Sequence, residues 1–191
     1  MLTRQLGSST ITYIPNSERA SPVIARTTLD RSAAILLQPH FYFTCDDDFM
    51  DFGDGSIYVA MMAVLGALLA GIMGNTSGLS ASLGLVPTLI ISPVIAVVAA
   101  FIMAGIIQVL CRSLGSTRHF GDSFHISASA AVFIPISQLL SALPLLILSM
   151  GWTWWVVSRG VIYLHHVEPR KAEIAFALLY AGLFILAAAN H

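Results

Sequence analysis

His119, Asp122, His125, His165 and His166 gather imidazole and carboxylate groups in or beside two short polar connections that interrupt an otherwise apolar chain. Such donors suit zinc or nickel. Adjacent histidines fix no coordination geometry, however, and the competing use of these side chains is contact with water and headgroups beside neighbouring basic residues. The balance favours that second use, so no metal and no other cofactor is expected. A second concentration of chemistry lies at Asp46, Asp47, Asp48, Asp51 and Asp54. Hard cations favour several carboxylates, but a helix-loop-helix calcium site needs acids at alternating positions before its glycine, and Phe49, Met50 and Phe52 stand where ligands would be required. The run reads instead as a solvated acidic loop, with Asp54 or Ser56 capping the helix that follows.

The elements that must position these groups follow from hydropathy. From Ser56 to Cys111 there is no Asp, Glu, Lys or Arg. The chain as a whole is 57% hydrophobic against 10% charged, with a mean hydropathy of +0.82. A bilayer's apolar slab of roughly 30 Å takes about 20 helical residues, so the first uncharged run is long enough to cross twice. Weak alternation argues against a barrel, which leaves helices as the means of satisfying the backbone in lipid. The expected fold is an all-α polytopic bundle. A net charge of −1 gives no basic surface for nucleic acid. Cys45 and Cys111 do not make a disulfide framework.

Breakers divide the chain. Residues 1–27 read as a flexible polar tail, with Pro15, Pro22 and acids that weaken a transit-peptide reading. Residues 28–55 read as a short interfacial helix, capped by Thr28 and stopped at Pro39, then Phe41, Tyr42 and Phe43 at headgroup level, then the acidic loop. Residues 56–191 form the membrane domain, with spans expected near 57–73, 86–110, 124–140, 146–164 and 174–189. Charge tests this count. Five spans place Arg4, Arg19, Arg26, Arg31, Arg112, Arg118, Arg159, Arg170 and Lys171 on one side, whereas four or six would scatter them. The positive-inside rule therefore expects a cytosolic N-terminus and a C-terminus outside or in a lumen.

Within the spans, Ala96, Ala100 and Ala104 form a small-residue row that lets helix backbones approach, in the chain itself or in a homo-oligomer. Gln108, Gln138, Ser127 and Ser129 are placed to hydrogen-bond between helices. Pro135 is expected to bend the third span and free the carbonyl of Ala131. Arg112, Arg118, Arg170 and Lys171 are expected to attract anionic lipid headgroups by about 1 kcal/mol each before screening. Ser77, in the glycine-flanked loop from Gly74 to Gly78, would need a histidine base to act as a nucleophile, and this topology puts every histidine but His191 on the opposite face. Asn75, Thr76 and Ser77 also make a glycosylation sequon, in a loop that hugs the membrane.

The segment from Leu36, Leu37, Gln38, Pro39, His40, Phe41, Tyr42 and Phe43, followed by two spans, Leu114 and Gly115, the Phe120 to Phe124 stretch, Ser129 to Pro135, and His165, His166, Arg170, Lys171 and Ala172 resembles the Yip1 domain over residues 36–189. That resemblance implies five spans, a cytosolic N-terminus and, in the eukaryotic branch, links to Rab GTPases and to traffic between endoplasmic reticulum and Golgi. The chain has Gly115, Ser116 and Thr117 where members often carry paired glycines, and its tail is short, which favours a prokaryotic member over a GTPase adaptor. The expectation is a non-catalytic membrane-organising or partner-binding module in a bacterial or archaeal cytoplasmic membrane, or in the ER or Golgi membrane of a eukaryote. Its partners are the lipid bilayer and another membrane protein or a second copy. The competing expectation is a transporter or channel for a small solute, suggested by the prolines at 87, 93 and 135.

Overall fold

The computed structural model describes residues 28–44, 50–74, 84–141 and 146–189. The expected tail, Cys45, the acids at 46–48, the loop carrying Asn75, Ser77 and Gly78, most of the turn before Leu146, and His191 lie outside the described residues. The fold is all-α. Helices α1 (Thr28–Leu37) and α2 (Pro39–Thr44) precede α3 (Phe52–Ile72), α4 (Leu85–Ser113), α5 (Phe120–Ala130), α6 (Phe133–Ser141), α7 (Leu146–Leu164) and α8 (Pro169–Ala189).

Local chemistry sets these boundaries. Pro39 does stop α1, yet it also opens α2, because a proline at the first helical position gives up an amide that has no helical partner anyway. Helix α3 starts one turn before the apolar run. Asp51, rather than Asp54 or Ser56, is its cap, and its carboxylate accepts from the Asp54 amide at 2.8 Å. The solvated acids thus extend the helix they were expected only to precede. Helix α4 carries Pro93 inside it without ending there. At its far end the Ser116 amide reaches the Cys111 carbonyl at 2.9 Å and the Gly115 amide reaches Arg112 at 3.0 Å, with Gly115 at φ 94°. This is a Schellman turn, and it explains the glycine: a side chain there would be strained in the left-handed region.

Helices α5 and α6 together make one stretch, Phe120–Leu140, of span length and apolarity, as do Phe52–Ile72 and Leu85–Ser113. The stretch is interrupted at Ala131 and Val132. The Ala131 carbonyl is not free as expected, since the Ile134 amide takes it in a tighter turn at 2.9 Å. Pro135 therefore sits buried in the first turn of α6, where its missing amide leaves no gap in a helical ladder.

Helix α5 is the centre of the bundle, and every residue from Ser123 to Ser129 is buried. Around it pack α3, α4 and α7, while α2 lies on α7 and α8 packs against α7. Helix α1 joins the same wall: Ser32 Oγ lies 2.9 Å from the Tyr58 hydroxyl of α3, and Trp152 Nε1 of α7 donates to the Leu36 carbonyl at 3.2 Å. The outward faces of α3 and α4 carry Ile57, Met61, Leu65, Ile90, Val94, Val98, Ile102 and Val109, all exposed. Apolar side chains continuous along such helices are a surface fitted to lipid rather than water.

Candidate functional site

The polar residues of α5 point into the bundle, and the densest group of hydrogen bonds lies where α5 meets the two connections. Gln108, in the last turns of α4, donates from Nε2 to the Arg118 carbonyl at 2.9 Å. A carbonyl only accepts, so the amide orientation is fixed and Gln108 Oε1 must accept, as it does from Ser123 Oγ at 2.6 Å. Ser123 has then spent its proton and takes one from His165 Nε2 at 3.0 Å. That leaves His165 Nδ1 as an acceptor for the Ser116 hydroxyl at 3.1 Å, and Ser116 in turn accepts from the Arg118 amide at 3.3 Å. Every donor in this chain of bonds meets an acceptor only when His165 is neutral and protonated on Nε2.

Electrostatics agrees. Burial pushes His165 below its ordinary pKa; the Asp122 carboxylate opposes the shift, while Arg118 and His166 reinforce it. The network ties the α4–α5 connection to the α7–α8 connection. On its exposed edge Arg118 Nη2 contacts His166 Nε2, and His166 holds a left-handed backbone with φ 52°. Histidine tolerates that conformation better than bulkier residues do.

The remaining candidate ligands have separate surroundings. Asp122 caps α5 by accepting from the His119 amide at 3.1 Å. His125 is buried one turn deeper, where its Nδ1 accepts from the Met50 amide at 3.0 Å and its ring stacks on Tyr42 at 5.5 Å between centroids. Among the described residues no three His, Cys, Asp or Glu side chains come together as a group that could hold a metal. His165 and His166 adjoin Arg118, whereas His125 faces Met50, Tyr42 and Phe43. Tyr42 and Phe43, expected at headgroup level, are instead buried against His125.

Of the other side chains, Ser127 bonds between helices as expected, whereas Ser129 makes its shorter bond within α5. Ser127 Oγ donates to the Ala100 carbonyl of α4 at 2.8 Å, and Ser129 Oγ to the His125 carbonyl at 2.8 Å. Ala100 and Ala104 are buried and Ala96 is half-buried. Arg112, Arg118, Arg170 and Lys171 are exposed at the end of α4, in the loop after it and at the start of α8. Arg159 pairs with Glu173 at 3.3 Å across α7 and α8. The sequence alone gave Ser116 and Ser123 no hydrogen-bonding role. The available signal was spacing, because Ser123 and Ser127, like His125 and Ser129, recur every fourth residue and so share a face.

Between the helices lies a crevice of about 220 Å³ lined by Val59, Ala96, Ala100, Ser127, Val157 and Tyr180 among others. Its walls are mainly apolar. The hydroxyls of Ser127 and Thr153 there are turned to the carbonyls of Ala100 and Ser149.

No curated protein and no solved structure matches the chain. The family model of the Yip1 domain matches residues 35–189, well over half of the sequence and all of the helices from the end of α1 onward. On that match, and with a bundle whose outer faces suit lipid, the chain belongs to the Yip1 domain family of membrane proteins.

Proposed function

We propose that the chain is a non-catalytic module that organises the membrane or binds a partner within it, spanning the bilayer five times with a cytosolic N-terminus and an external or lumenal C-terminus. Among the described residues, three helical stretches of span length and apolarity support the multi-pass reading. The finer count rests on charge, since five spans leave all nine Lys and Arg on one side. The observation that carries the non-catalytic reading is how the buried polar groups are used. Ser123, Gln108 and His165 bond to one another, Ser127 bonds to the α4 backbone, and the central crevice has apolar walls. A solute path would need polar groups facing a wet cavity. A partner on the outer faces would need none.

The test is reconstitution. Vesicles containing the purified chain should pass glycerol and urea no faster than protein-free vesicles, and the chain isolated in mild detergent should retain a second protein, or a second copy, at fixed stoichiometry by native mass spectrometry. Saturable solute flux from a chain isolated alone would replace this reading with transport.

A further inference from the structure

Helix α8 packs on α7 with one side and faces α4 across an open groove with another. The groove encloses about 910 Å³ between Ile102, Gly105, Ile106 and Val109 of α4 and Ala175 and Leu178 of α8. Its floor is widened by missing side chains: a Cβ at Gly105 would meet nothing within 4 Å, and Ala175 is small on the facing wall. The residues bounding it on α4 recur at three- and four-residue steps, which continues to Arg112, one turn beyond Val109 and two beyond Gly105. On α8 the same steps lead back from Leu178 through Ala175 to Lys171. One cation from each wall thus stands at the same end of an apolar slot. Among the described residues no carboxylate pairs with Arg112, and Lys171 shares its exposed ammonium with Glu168 at 2.9 Å.

We infer that the α4–α8 groove is a binding site for an anionic phospholipid, one acyl chain lying along Gly105 and the phosphate held between Arg112 and Lys171. The charge decides the ligand class. An apolar groove alone would take any lipid chain or a partner helix, whereas a groove whose two walls each lead to an exposed cation at the same end selects a tail with an anionic head. Arg112 offers a planar fork for phosphate, and Lys171 adds a compact charge that survives one exposed contact with Glu168. The site rests on the membrane-embedded reading above and is independent of whether the chain binds a partner protein.

Native mass spectrometry of the full chain, titrated with phosphatidylglycerol or with phosphatidylcholine, tests the site. The first phosphatidylglycerol should bind well ahead of phosphatidylcholine. Arg112→Gln with Lys171→Gln should weaken it about tenfold, as two surface cations would after partial screening. Gly105→Leu should weaken long-chain phosphatidylglycerol but leave a dihexanoyl analogue unaffected, and its open surroundings allow the fold to persist. Arg118→Gln with Arg170→Gln serves as the off-groove control. Equal losses from both charge pairs, with no effect of Gly105→Leu, would mean diffuse attraction to the surface and would overturn the site. A change in dimer fraction on Gly105→Leu with unchanged lipid binding would make the groove a face for a second copy, and would overturn it as well. Reporters showing that Arg112 and Lys171 lie on opposite sides of the membrane would defeat the embedding reading itself.

Discussion

Protonating His165 would place a positive charge on a buried ring between Ser116 and Ser123, beside Arg118 and His166. A buried histidine held neutral has its folded-state pKa below the unfolded value of 6.5, so the unfolded chain binds more protons as pH drops through that region. The stability it contributes is present in full above pH 6.5 and is lost as pH falls toward the lowered folded value. Purified protein in detergent should therefore unfold at a lower temperature at about pH 5.5 than at about pH 7.5. In His165→Gln, which keeps a donor toward Ser123 but cannot titrate, the drop should be smaller. Parallel pH curves for the two proteins would mean that His165 is not the group that senses protons. The histidines were visible in the sequence as neighbours along the chain, but not their directions. His119, Asp122 and His125 around the start of α5 could each cap it, enter the core or face water, and only packing decides among those.

Helix boundaries show the same division between what pattern reveals and what contacts decide. Glycines, prolines and the uncharged run gave α3 and α4 nearly their observed extents. The start of α3 escaped because Asp51 is both a solvated acid and a good cap, and the pattern weighed only the first role. The break in the third span was sought at Pro135, yet it falls at Ala131 and Val132, where the Ile134 amide satisfies the carbonyl that the proline would otherwise leave free. Close packing of α3 on α5 was legible only as a general preference for small residues. Its sharpest instance is Gly55, where an added Cβ would come within 2.6 Å of Phe124 Cε1. Phe124 has little room to yield, being fully buried with the Phe101 ring at 4.4 Å and the Phe52 ring at 5.2 Å. Gly55→Ala should cost about 1–3 kcal/mol through overpacking. Gly105→Ala, opening onto the groove, should be neutral or stabilise by up to about 1 kcal/mol through helix propensity. Unfolding both variants in one detergent checks the contrast, and equal effects would contradict the packing of α3 against α5.

On the scale of the whole chain, hydropathy gives the class of protein and charge is what the proposed orientation rests on, because both are sums over many residues and tolerate local misjudgement. The interior arrangement depends on pairwise contacts: the bond of Ser127 to α4 was legible as a polar residue placed between helices, but α5 as the buried hub, the Ser123–Gln108 bond, and α2 folded in against α7 and His125 rather than resting at the surface were not. The central claim is the one-sided placement of all nine cations that five spans produce. Paired topology reporters measure it directly, one fused ahead of Met1 and one after His191, read by fluorescence in the cytosol and by an enzyme that works only outside it. The account predicts a cytosolic signal at Met1 and an external or lumenal signal after His191, and finding both ends on the same side of the membrane would contradict it.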